Sequence, residues 1–146
     1  MSEPIIRLKN LKTLEKKYNL ELQTLKKELG TLLDSQDFLN KEIQTLDDGL
    51  AAEDKKAKAE KSIPYGYDTF LKHVNEKKEH YRNLLEELSE EIQIIEDKIH
   101  FVFQEMQKYK IMADSALQEM NEHHTYHENQ FLDEVSQRQI RDMDDK

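Results

Sequence analysis

Leu8 to Leu50 reads LKNLKTLEKKYNLELQTLKKELGTLLDSQDFLNKEIQTLDDGL, and the spacing of its apolar residues decides the fold. Leu8, Glu15, Leu22, Leu29, Gln36, Ile43 and Leu50 recur at heptad intervals. A second row, Leu11, Tyr18, Leu25, Leu32, Leu39 and Leu46, recurs beside them. A strand alternates with a period of two and cannot sustain a three-then-four spacing over this length. The pattern therefore predicts one long helix with a narrow apolar seam, wound into a left-handed supercoil against a partner helix. Only Glu15 and Gln36 interrupt the seam. Polar residues at single seam positions fix register and oligomer state at some cost in stability.

Working outward, Gly49 and Ala51 to Lys61 carry little to bury; their Ala and Lys content allows the helix to continue, but a frayed or mobile stretch is expected there. Ser62-Ile63-Pro64-Tyr65-Gly66-Tyr67-Asp68 is the one concentrated breaker signal. Two helix starts are open: Ser62 as cap with Pro64 just inside the helix, or Asp68 as a later cap. A second ridge follows: Tyr67, Leu71, Val74, Lys78, Tyr81, Leu85, Leu88, Ile92, Ile95, Ile99, Val102, Met106, Tyr109, Ala113, Ala116 and Met120. Lys78 is its only charged member and is expected to snorkel outward. Beyond Met120 the same row meets His123, His127, Gln130 and Glu134, so the seam ends. A different apolar set appears there: Phe131, Leu132, Val135 and Ile140.

A short connection makes consecutive helices antiparallel neighbours. The expected fold is all-α: a single coiled-coil domain in which two long helices, about 5–60 and 68–140, form an antiparallel coiled-coil hairpin with an elbow at about 61–67. Pairing Leu50 with Tyr67 would set Leu8 opposite about Tyr109 and leave residues after about 110 overhanging or paired only with the first few residues.

Composition agrees. With three Gly and two Pro in 146 residues, there are few places to turn. A net charge of −9 opposes phosphate binding, so neither nucleic acid nor an anionic membrane is an expected partner. The absence of cysteine excludes disulfides and thiol chemistry. No apolar run approaches the roughly 18–20 residues of a membrane span, and the opening residues lack the layout of a secretory signal. A cytoplasmic protein without direct membrane insertion is the expectation.

Candidate sites are few. Glu86/Glu87 and Glu90/Glu91 lie on a solvated helical face. Paired carboxylates act as acid and base only inside a cleft that separates their pKa values, so no enzyme activity and no cofactor are expected. His123 and His127 stand four apart, a spacing that holds divalent metals on zinc-binding helices, with His124 between them. Glu119 and Glu128 are the nearest further ligands. A third protein ligand and a pocket are missing, so chance clustering at a polar helix end, with no metal, is the expectation, and adventitious nickel or zinc binding is the alternative. Phe70, Leu84, Phe103, Met112 and Leu117 flank the second seam and are expected to widen it. Ile94 and Phe101 both fall on its outer face, where aligned apolar groups suggest a partner contact.

Two stretches carry a family resemblance. Tyr67-Asp68-Thr69-Phe70-Leu71-x-x-Val74 opens the second helix after the breaker. Glu128-Asn129-Gln130-Phe131-Leu132-Asp133-Glu134-Val135-Ser136-Gln137-Arg138 contains an Asp-Glu-x-x-x-Arg pattern. Together with length and layout, they resemble the FliJ/YscO family, coiled-coil stalk components of flagellar and virulence type III protein export. The resemblance implies a component that links a hexameric export ATPase to the membrane export-gate protein and to export chaperones, peripheral to a membrane export complex. It implies ATPase contact through Leu8, Leu11, Phe131, Asp133, Glu134 and Arg138, and export-gate contact through Phe70, Val74, Lys77 and Tyr81. Lys77 stands where the family has a small residue, and Tyr81 where it has a polar one. The competing expectation is a generic coiled-coil scaffold or tether that dimerises through its overhang.

Overall fold

A computed structural model describes residues 3–144 of the chain. Its two elements are α1, Glu3–Glu60, and α2, Tyr67–Asp144, joined by a short elbow. They pair as an antiparallel all-α hairpin. Each begins with an acidic first turn and ends with a basic last turn, Glu3 and Lys58 in α1 and Asp68 and Arg141 in α2, as the helix dipole favours.

The elbow uses backbone geometry more than side-chain caps. Lys61 leaves α1 with φ at 54°, a left-handed conformation that usually falls to glycine. Gly66 has φ at 81° and occupies the cap position of α2. Its carbonyl accepts the first helical bond, from the Phe70 N–H at 2.9 Å, and the Pro64 carbonyl accepts from the Tyr67 N–H at 3.1 Å. Neither cap considered from sequence is used. Glycine serves the cap position well, and Asp68 lies inside the first turn.

Packing groups into two compact units. One combines the chain up to Leu22 with the chain from Phe101 on; the other is Gln23–His100. In the first, Leu11, Leu22, Val102, Ala113 and Ala116 are buried. In the second, Leu25, Leu39, Val74 and Ile92 are. Every residue assigned to either seam is buried or half-buried. Each buried Leu, Ile or Val contributes roughly 1.5–3 kcal/mol against an ordering cost of similar size.

The register differs from the expected one. Tyr109 stacks its ring on Tyr18, with centroids 5.5 Å apart and planes within 7°. Leu8 instead joins the cluster of Leu11, Ala113 and Ala116. In the other unit the Lys78 ammonium meets the Asp47 carboxylate. Both contacts place the partner in α1 about one heptad beyond the expected position. The cause is the stretch between Leu50 and the elbow. The helix continues through Gly49 to Glu60, with Glu53 and Ala57 half-buried in the same seam positions, so pairing begins nearer the elbow. The stretch after residue 110 consequently does not overhang at once: Ala113 is 2% exposed, and burial ends only after Met120. Phe70 and Phe103 do not widen the stripe. They are exposed, whereas Leu84, Met112 and Leu117 are half-buried.

Candidate interaction surfaces

Within the unit that holds the start of α1, two alanines explain the tight closure. Ala113 and Ala116 present only methyl groups, so Leu11 packs directly against them, with Leu8, Tyr109 and Met112 around it. Leu8 and Leu11 are thus committed to this core: Leu11 is buried and Leu8 half-buried. Leu11 is closed to a partner, while Leu8 also lines an open groove with Ile5, Lys9 and Lys12.

Beyond Met120, α2 continues with nothing packed on it. From residue 121 to 143 every residue is exposed except Val135, which is half-buried. Phe131, Leu132, Ile140 and Met143 stand open to solvent at 64, 55, 59 and 77%. Phe131, Val135 and Arg138 share one helical face, being four and three apart. Asp133, Glu134 and Arg138 are exposed, so four of the six residues assigned to ATPase contact lie together on this stretch, while Leu11 lies in the core and Leu8 packs against it. Met143, which the sequence reading did not single out, extends the apolar set. Its signal in the sequence is its position three residues after Ile140.

The same stretch carries a chain of side-chain contacts four residues apart. The Gln118 amide donates to Glu122, the Thr125 hydroxyl to the Asn121 carbonyl, and the Gln130 amide to the Tyr126 hydroxyl. His123 and His127 bring their Nε2 atoms to 2.9 Å, with ring planes 85° apart.

In the second unit, the residues assigned to the export gate separate by burial. Phe70 and Lys77 are exposed, Tyr81 is half-buried, and Val74 is buried at 3%. Val74 faces the seam, so a partner arriving here would meet Phe70, Lys77 and Tyr81. Ile94 is 54% exposed and lines an open groove with Glu28, Thr31, Leu32, Glu91 and Ile95. Phe101, which belongs to the other unit, is 60% exposed. In that unit exposed Phe103 and Ile111, with half-buried Gln107 between them, form a further row beside Met112. Ile111 escaped the sequence reading because it lies on the outer face, away from both seam rows.

Electrostatics are those of a solvated surface. Lys41 bonds to Asp37 at 2.9 Å, and that hydrogen bond and charge raise the Lys41 pKa above its ordinary 10.5. Lys58 pairs with Asp54 at 3.1 Å. Such exposed pairs contribute little. Lys78 differs: its side chain is 13% exposed and Asp47, at 42%, covers its charged end. It pairs across the hairpin at the seam's edge, with a partner, Asp47, that the seam pattern does not indicate. No helix among the described residues is long and apolar enough to cross a membrane.

Compared with protein-family models, with curated proteins and with solved structures, the chain matches none.

Proposed function

We propose that this chain is the stalk component of a type III export apparatus, flagellar or virulence-linked, seated in a hexameric export ATPase and linking it to the export gate and export chaperones. The observation that carries this reading is the uncovered end of α2. The seam is complete up to Met120, and the helix then runs on to Asp144 displaying Phe131, Leu132, Ile140 and Met143 without cover. Apolar side chains held out on a formed helix are suited to insertion into a partner's cavity. The Asp133-Glu134-x-x-x-Arg138 pattern behind the family resemblance lies on the same stretch. Phe70, Lys77 and Tyr81 form the gate-facing contact, and the protein works in the cytoplasm at the membrane complex.

The test is ATP turnover and hexamer formation by the cognate ATPase. Addition of the full chain raises both, and a chain ending at Met120 does not. Because residues 121–143 pack on nothing, the shortened chain keeps the melting temperature of the hairpin. Unchanged turnover with the full chain would sink the proposal. A second reading rests on the same uncovered side chains: a scaffold that dimerises through residues 121–143. Light scattering then shows a concentration-dependent dimer that the shortened chain does not form.

A further inference from the structure

We propose that His123 and His127 form a bidentate binding site for a divalent transition-metal ion, with copper(II) and nickel(II) preferred. The two residues lie one turn apart on α2, so their rings project from one face. Spacing alone allows many mutual orientations of two imidazoles, most of them useless for chelation. Here both rings turn the same nitrogen inward: the Nε2 atoms are 2.9 Å apart, the centroids 4.3 Å apart and the planes nearly perpendicular. Two metal–nitrogen bonds of about 2.05 Å meeting at a right angle separate their nitrogens by about 2.9 Å, whereas a tetrahedral angle requires about 3.3 Å. The observed separation is that of the hydrogen bond joining the rings and lies within about 0.5 Å of either bite, so both Nε2 atoms reach one ion with little movement. The preference for copper and nickel follows the affinity order of divalent ions at imidazole nitrogen.

The chemistry balances without loss of a proton from neutral rings. In the metal-free pair one Nε2–H donates to the other Nε2. On binding, that ring carries its proton on Nδ1, and both Nε2 lone pairs face the ion. Neighbouring groups hold the surroundings in place: the Tyr126 ring lies 5.9 Å from that of His127, and Gln130 fixes the Tyr126 hydroxyl at 2.9 Å. Among the described residues no cluster of three or more His, Cys, Asp or Glu forms, so Glu119 and Glu128 are not ligands. The remaining coordination positions are open to water. His124, one residue from His123, points about 100° away around the helix and takes no part.

The experiment is a calorimetric titration of the full, tag-free chain with copper(II), nickel(II) and zinc(II) chlorides, with electron paramagnetic resonance of the copper complex. One ion binds per chain, the spectrum shows two equatorial imidazole nitrogens, and affinity falls from copper to nickel to zinc. His123→Ala and His127→Ala each lose this binding, and His124→Ala keeps it. Both rings are exposed, so the variants retain the helical melt; His127→Gln, closer in volume, provides a second check. The site does not exist if no saturable binding of one ion per chain occurs, or if binding survives removal of both His123 and His127. A preference for zinc over copper would contradict ligation by two imidazole nitrogens alone.

Discussion

The Asp47–Lys78 contact makes a prediction whose sign differs between its two partners. Lys78 occupies a seam position with its side chain 13% exposed, while Asp47 is 42% exposed at the seam's edge. Replacing Asp47 by Asn leaves a largely buried ammonium without its counter-charge. Breaking a fully buried pair costs about 3–5 kcal/mol and breaking an exposed one about 0.2–1 kcal/mol. Because water reaches Asp47, the expected cost lies between, at roughly 1–2 kcal/mol. Lys78→Met keeps the length of the stem and removes the charge that needs a partner, so it is neutral or stabilises by about 1 kcal/mol. In that background Asp47→Asn costs nothing, giving a coupling of about 1–2 kcal/mol in the double-mutant cycle. Thermal melts followed by circular dichroism read the cycle, at about 3 °C per kcal/mol. If Asp47→Asn melts with the parent, or Lys78→Met is as damaging as Asp47→Asn, the pair does not hold the register assigned to it.

Other consequences are simpler. Leu22 is 3% exposed, so Leu22→Ala costs about 2–3 kcal/mol in the same melt, near the low end for buried leucine because a two-helix seam can partly close on the gap. Lys61→Gly relieves a left-handed backbone and raises stability by about 0.5–1 kcal/mol, while Gly66→Ala introduces such strain and lowers it by about 1 kcal/mol. The Lys41 pKa is raised by Asp37, so that pair's small contribution is present below the unfolded value of 10.5 and is lost as pH rises through the folded value above it. An NMR titration of Lys41 with Asp37→Asn shows the shift disappear.

What could be read in the chain followed from its periodicity. The heptad rows from Leu8 to Leu50 and from Tyr67 to Met120 name the residues that turn inward, because burial on a helix pair depends on angle alone. Register was less legible. It depends on where pairing begins, and Glu53 and Ala57 hold seam positions without an apolar signature. Asp47 was invisible as a partner of Lys78 for the same reason, since its role exists only once the offset is known. Phe70 and Phe103 show the limit of pattern at flanking positions, where a large ring has room to lie in solvent. The interaction residues divided along this line. Leu11 and Val74 carry the seam pattern and are buried by it, whereas Phe131, Asp133, Glu134 and Arg138 fall beyond the seam and stay open. The convergence of His123 and His127 depends on side-chain rotamers, which spacing does not specify.

The central claim is that the two helices fold back on each other within one chain. Thr31 and Ile94 line the same groove, and the chain has no native cysteine to compete for label. Spin labels at cysteines placed there, measured by double electron–electron resonance, are expected within about 15–30 Å given helix axes 8–10 Å apart. That distance persists on dilution with unlabelled chain. A separation beyond about 60 Å, approaching the roughly 95 Å of an unfolded-back helix, or a short distance lost on dilution, would contradict the hairpin.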